Sequence, residues 1–320
     1  MAAFFSKYFN SQQKANHLRT DWFPLIAFGY LIVVTAAEML TTVLVPAGGA
    51  TVYGFLQVQY ILLLFLLCVH TAVKWGTADH PLLFMLILVP LIRIISLSLP
   101  LAMLPQMYWY LLTSIPIFVA AFLIMRQLQW SWRDLGLNGR YFLWQIPLAL
   151  SGGLIGYLEY LILEPEPLIK TFTWVHWLAA ALILLISTGF LEELIFRQMM
   201  QKTAVKRLGK LFGIVYVAAI FAVLHIGYSS FTDVLFVFAV GLFFGWAVDK
   251  TGSIVGVTLA HGLANITLFL IFPIWEIGDT QFIVSFDFWQ LLEKNAIWLM
   301  LLTIGFGFMR MLIIEPQILD

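Results

Sequence analysis

Three apolar segments of this chain carry side chains that can do acid–base chemistry. They are FLEELIFRQ with Glu192, Glu193 and Arg197, FAVLH with Phe221 and His225, and AHGLAN with His261 and Asn265. An ionisable group at membrane depth costs at least a few kcal/mol unless it is paired or wetted, so each of these residues asks for a function or a partner. Carboxylates and imidazoles gathered in one low-dielectric cavity are the parts of a general-base site, of a metal site, or of a polar network that fastens helices together.

Helical spacing sorts them further. Two adjacent carboxylates point about 100° apart on a helix, so Glu192 and Glu193 are expected not to share one partner or one task. Glu193 and Arg197 are four apart with the acid first, the favourable order for a same-face ion pair. That leaves Glu192 to face a cavity. His261 and Asn265 are also four apart, which stacks their polar tips on one face. Depth agrees with this grouping: counted from Lys202, Lys210 and Lys250, Glu192, His225 and His261 lie about 15, 22 and 16 Å along their helices. Three separate helices can present these groups at one level.

The elements that must position them are membrane helices. Hydrophobic residues make up 62% of the chain and charged residues 11%, against roughly half and a quarter in a soluble domain. The chain divides into apolar blocks near 22–45, 52–74, 81–104, 107–125, 141–163, 174–201, 211–229, 231–249, 254–275 and 295–313. The expected fold is an all-α, polytopic transmembrane helix bundle of about ten spans. With the amino terminus in the cytoplasm, Lys170 and Lys294 fall outside and Arg93 lies within a span; the other 14 of the 17 Lys and Arg fall on or near the cytoplasmic side. That bias predicts both termini in the cytoplasm. The first 21 residues, with Lys7, Lys14 and Arg19 and no long apolar run, do not read as a cleavable signal. A net charge of zero argues against a nucleic-acid partner. The single Cys68 excludes a disulfide framework and is expected to pack in its apolar run.

Other ionisable groups have quieter readings. Glu38 and Arg93, about 25 and 20 Å deep, are expected to form a structural ion pair between the first and third spans. Glu159, His70 and His176 fall near span ends, where interfacial water is in reach, and are assigned no chemistry. Phe282, Phe286, Phe288 and Trp289, in the external connection 276–294, belong at headgroup level.

Read in order as EExxxR, FxxxH and HxxxN, the three segments resemble the motifs of the CPBP family, the CAAX-processing and bacteriocin-processing intramembrane proteases also called Abi proteins. The resemblance extends to the Thr-Gly-Ser turn of DKTGSIVGVTLAHGLAN and covers about residues 184–269. It implies an intramembrane endopeptidase in which Glu192 and His225 activate a water, His261 and Asn265 stabilise the oxyanion, and Glu193 holds the helix through Arg197 and assists electrostatically. The chain then divides into a cytoplasmic segment 1–21, a four-span region 22–140, a catalytic core 141–275, and an external loop with a last span, 276–320. No cofactor is required on this reading. A catalytic zinc on Glu192, His225 and His261, with water in the fourth position, is the alternative that the family's frequent label as metalloproteases raises. Against it stand the missing HExxH and the lack of a further carboxylate to act as base.

The expected partners are membrane lipid and a membrane-anchored protein or peptide substrate. The first four spans could also dock a membrane protein complex. A non-catalytic assembly protein on the same fold is the competing function. A transporter is disfavoured by the lack of an inverted repeat and by the single clustered polar site.

Overall fold

A computed structural model describes residues 23–44, 59, 60, 62–64, 81–99, 101, 104–169 and 172–276. Among the described residues there are helices and no strand. Eight helices are long and apolar enough to cross a membrane, and the chain is a multi-pass membrane protein. We number them α1 (Phe23–Leu44), α2 (Pro81–Ser98), α3 (Met107–Gln127), α4 (Phe142–Leu163), α5 (Trp174–Leu208), α6 (Lys210–Val223, its span continuing to Tyr228), α7 (Phe231–Thr251) and α8 (Val255–Trp275). Each coincides with an expected span to within a few residues, apart from a longer α5 and a shorter α2. The expected spans at 52–74 (almost whole) and 295–313 lie outside the described residues, as do Cys68, His70, Lys170 and the aromatic connection 277–294.

Where lipid replaces water, the hydrophobic effect no longer drives helices together, and close backbone approach takes over. Here α4 and α8 meet through small residues. Gly152 and Gly156 of α4 lie against the backbone of Ala260 and Ala264, so that a Cβ at either glycine would collide with a carbonyl of α8. The neighbouring Gly153 faces elsewhere, and a Cβ there would meet only Leu263 Cδ2 at 3.8 Å, an ordinary contact. On its other side α8 touches α5, where Gly189 packs on the backbone at Gly262. The helix that carries His261 and Asn265 is thereby held between α4 and α5.

Polar clamps fix the ends. The loop between α3 and α4 wraps back on the core: Asn138 donates to the Gly252 carbonyl at 2.8 Å, Ser253 donates to the Asn138 carbonyl at 2.8 Å, and the Ile254 N–H reaches the Gly136 carbonyl at 3.0 Å. The turn that precedes the histidine helix is held to this loop by three hydrogen bonds. In the same loop Asp134 accepts from the Ser131 backbone N–H and hydroxyl and pairs with Lys202, and these contacts hold its carboxyl down to about 2. At the far side of the bundle Tyr30 of α1 donates to the Leu86 carbonyl of α2 at 2.9 Å, and Arg93 of α2 pairs with Glu38 of α1, as the sequence predicts.

The α4–α8 seam is testable by contrast. Gly152→Ala should lower stability in detergent by about 1–3 kcal/mol through overpacking, while Gly153→Ala should stay within about 0.5 kcal/mol of the parent. Thermal unfolding of the two variants side by side is the measurement, and equal melting curves would contradict the packing.

Candidate active site

The site begins with an irregularity in α5. Its backbone widens into π-helical turns at Leu184–Phe190 and again at Glu193–Gln201, on either side of Glu192. Such bulges shift the side-chain register and are frequent at functional sites. Glu193 is fully buried, and its Oε2 lies 3.2 Å from Nε of Arg197, itself 1% exposed. The expected ion pair is present. Its second oxygen, Oε1, lies 2.9 Å from Nδ1 of His261, while Glu192 Oε2 stands 3.7 Å from Nε2 of the same ring.

This corrects one expectation. The two carboxylates do share a partner, because an imidazole offers one nitrogen on each edge and the widened helix brings both acids to it. A carboxylate accepts, so the His261 Nδ1 proton points to Glu193. Glu193 thus joins Arg197 on its own helix to His261 on α8.

His225 is positioned from a different helix end. The α6 helix stops at Val223, and His225 opens a single 3₁₀ turn, Ile226–Tyr228. Its Nδ1 lies 2.9 Å from the Phe221 carbonyl, which can only accept, so Nδ1 carries the proton and Nε2 is left as an acceptor. Phe221 occupies the space between the polar groups. Its ring lies 4.9 Å from the His225 ring and 5.9 Å from that of His261, with the Arg197 guanidinium 5.0 Å from its centroid. In FxxxH the phenylalanine thus acts as a spacer for two histidines and a cation–π face for the arginine.

Asn265 is oriented by a residue that the sequence did not single out. The Thr188 hydroxyl donates to the Leu184 carbonyl and accepts from Asn265 Nδ2 at 2.8 Å. With the hydroxyl proton spent on Leu184, only the amide N–H can face Thr188, which sets the Asn265 amide the right way round. One N–H and the carbonyl oxygen of Asn265 are left for other partners.

Glu192, His225, His261 and Asn265 line one cavity of about 70 Å³. A water needs about 10–15 Å³ on this measure, so several fit. Four further polar residues line it: Tyr110 of α3, Thr188 of α5, Tyr228, and Glu159 of α4. Glu159 is a second correction, since it faces the cavity where interfacial water was expected. Its single signal was that of a lone acid inside an apolar run; Tyr110 and Thr188 gave none. His176 stays at a span end, where its N–H caps on Thr173.

Residues 174–267 match the family model of the type II CAAX prenyl endopeptidase Rce1-like proteins. The match agrees with the CPBP resemblance and spans Glu192, Glu193, Arg197, His225, His261 and Asn265, while Tyr110 and Glu159 fall outside it. No curated protein and no solved structure matches the chain. Among the described residues no group of three or more His, Cys, Asp and Glu side chains is placed to hold one metal ion. Glu192, His225 and His261 line one cavity without converging as a ligand set.

The doubly used Glu193 gives a prediction. Glu193→Ala strips the partner from buried Arg197 and from His261 Nδ1 together, and should cost about 3–5 kcal/mol, the range for breaking a buried pair. Thermal unfolding in detergent reads the loss. An unchanged melting temperature with abolished turnover would instead give Glu193 the role of the base.

Proposed function

We propose that this chain is an intramembrane endopeptidase that hydrolyses peptide bonds of membrane-associated protein or peptide substrates through a water activated by Glu192 and His225. What carries the reading is the fixed tautomer of His225. With its proton on Nδ1, His225 keeps Nε2 as an acceptor, and it lines the same cavity as Glu192. An acceptor and a carboxylate on one water are what general-base hydrolysis needs.

The water attacks the scissile carbonyl carbon as Glu192 takes its proton. The negative charge that develops on the carbonyl oxygen is met by donors from α8, the free Asn265 N–H and His261 Nε2 when it bears a proton. Each such donor contributes about 3–4 kcal/mol in a site screened from bulk water. The tetrahedral intermediate then collapses, the carbon–nitrogen bond breaks, and the proton on Glu192 passes to the departing amine. Glu193 and Arg197 keep His261 aimed throughout. No metal enters this sequence.

The family description supports a prenylated CaaX peptide as the first probe. The charge bias of the loops supports a cytoplasmic placement of both termini.

Purified protein should cleave a quenched-fluorescence peptide bearing a farnesylated cysteine and three further residues, or a membrane-anchored peptide without the prenyl group. Glu192→Gln should fold as the parent does yet lose at least ~10² of the rate, the share of a general base. Activity within about threefold of the parent would sink the assignment. A well-folded parent that cleaves none of these peptides would favour the assembly-protein reading.

Metal content is a separate test, by elemental analysis of active protein before and after chelation. We expect no stoichiometric zinc and undiminished turnover. About one zinc per chain, with activity lost on chelation and restored by zinc alone, would overturn the metal-free mechanism.

A further inference from the structure

The cavity takes His225 from a helix that has just ended, and helix ends leave carbonyls without partners. Beyond Val223, the Leu224 N–H returns to Ile220 and the His225 N–H to Ala222. The Leu224 carbonyl has no such local partner. It accepts instead from Nη2 of Arg93 at 3.0 Å, from a residue 131 positions earlier in the chain. The guanidinium is held in turn by Glu38, whose Oε1 accepts from Arg93 Nε at 2.9 Å and whose Oε2 accepts from Nη2. Glu38 is 1% exposed. Arg93 also lies along the turn after the histidine, where a Cβ at Gly227 would stand 3.9 Å from Nη2.

The geometry points to Arg93, anchored by Glu38, as a positioning residue that fixes the backbone on both sides of His225. A pair serving only to join α1 to α2 needs no contact with α6. Here Nη2 is shared between the carboxylate and the one carbonyl that precedes the histidine. An unsatisfied carbonyl at membrane depth costs several kcal/mol, so without Arg93 the 224–225 peptide turns to find another donor. The His225 ring turns with it, because its Nδ1 hydrogen bond and its stacking on Tyr228, with ring centroids 5.9 Å apart, both depend on this short turn. Two helices outside the matched residues 174–267 thereby take part in setting the site.

The inference rests on the hydrolytic reading above, and the test separates the two. The double variant Glu38→Leu with Arg93→Met removes both charges, so no unpaired ion is left, and such replacements are often neutral or stabilising. On the peptide that the parent cleaves, we expect kcat to fall about 10- to 100-fold, the scale of a misplacement near 1 Å, with KM within about twofold. Histidine ¹⁵N spectra should show the His225 resonances moved, with the melting temperature near that of the parent. Arg93→Lys, a point charge that cannot serve both acceptors as a fork, should also lose kcat and replaces the double variant if that does not fold.

A kcat within about twofold of the parent, or a loss confined to KM, overturns the positioning role. His225→Ala distinguishes the remaining failure. If it retains full activity, the role given to His225 in the hydrolytic reading is wrong and this inference falls with it. If it is inactive while the Arg93 variants are not, only the positioning role is lost.

Discussion

A charge cannot stay unpaired where lipid replaces water, and the centre of this protein is arranged around that constraint. Glu193 is the point through which it acts. One oxygen holds Arg197 and the other holds His261, so a single buried carboxylate joins α5 to α8 and determines which edge of the imidazole faces the cavity. The guanidinium completes the arrangement by lying over Phe221, whose ring separates the two histidines. Removing any one of these groups leaves another without its partner. The network is therefore both scaffold and aiming device.

The polar side chains work only because apolar packing holds their backbones in register. On one side α8 lies against α4 through glycine and alanine, and on the other it meets α5 at Gly189 and Gly262. The turn that feeds α8 is tied to the loop before α4 by three hydrogen bonds. Depth, rotation and entry angle of the histidine helix are thus fixed by separate contacts. The water-activating site proposed above would need such rigidity, since donors aimed in advance cost no reorganisation when an oxyanion forms.

Much of this was legible in the sequence. Hydropathy located the described helices, because each must cross a similar thickness of hydrocarbon. Motif order and helical spacing picked out Glu192, Glu193, Arg197, His225, His261 and Asn265. Regular helix geometry also misled: it separated Glu192 from Glu193 by 100°, whereas π-helical turns flanking them let both reach His261. Thr188 and Tyr110 were invisible because such residues occur in membrane helices as ordinary packing. Glu159 was misplaced because distance from a span end says nothing about which way a side chain faces. The bond from Arg93 to the Leu224 carbonyl could not be foreseen, since a backbone acceptor has no sequence signature.

The glycine and alanine seam has a consequence for traffic. Where Gly152 and Gly156 touch the backbone at Ala260 and Ala264 there is no room for even a methyl group, let alone an acyl or prenyl chain. A lipid-anchored substrate of the kind proposed, moving sideways through the bilayer, would find that seam closed. The cavity is bordered elsewhere by two half-buried aromatic side chains, Phe236 of α7 and Tyr110 of α3. Rings can swing on their χ angles where abutting backbones cannot, and those walls are where a lateral doorway could open.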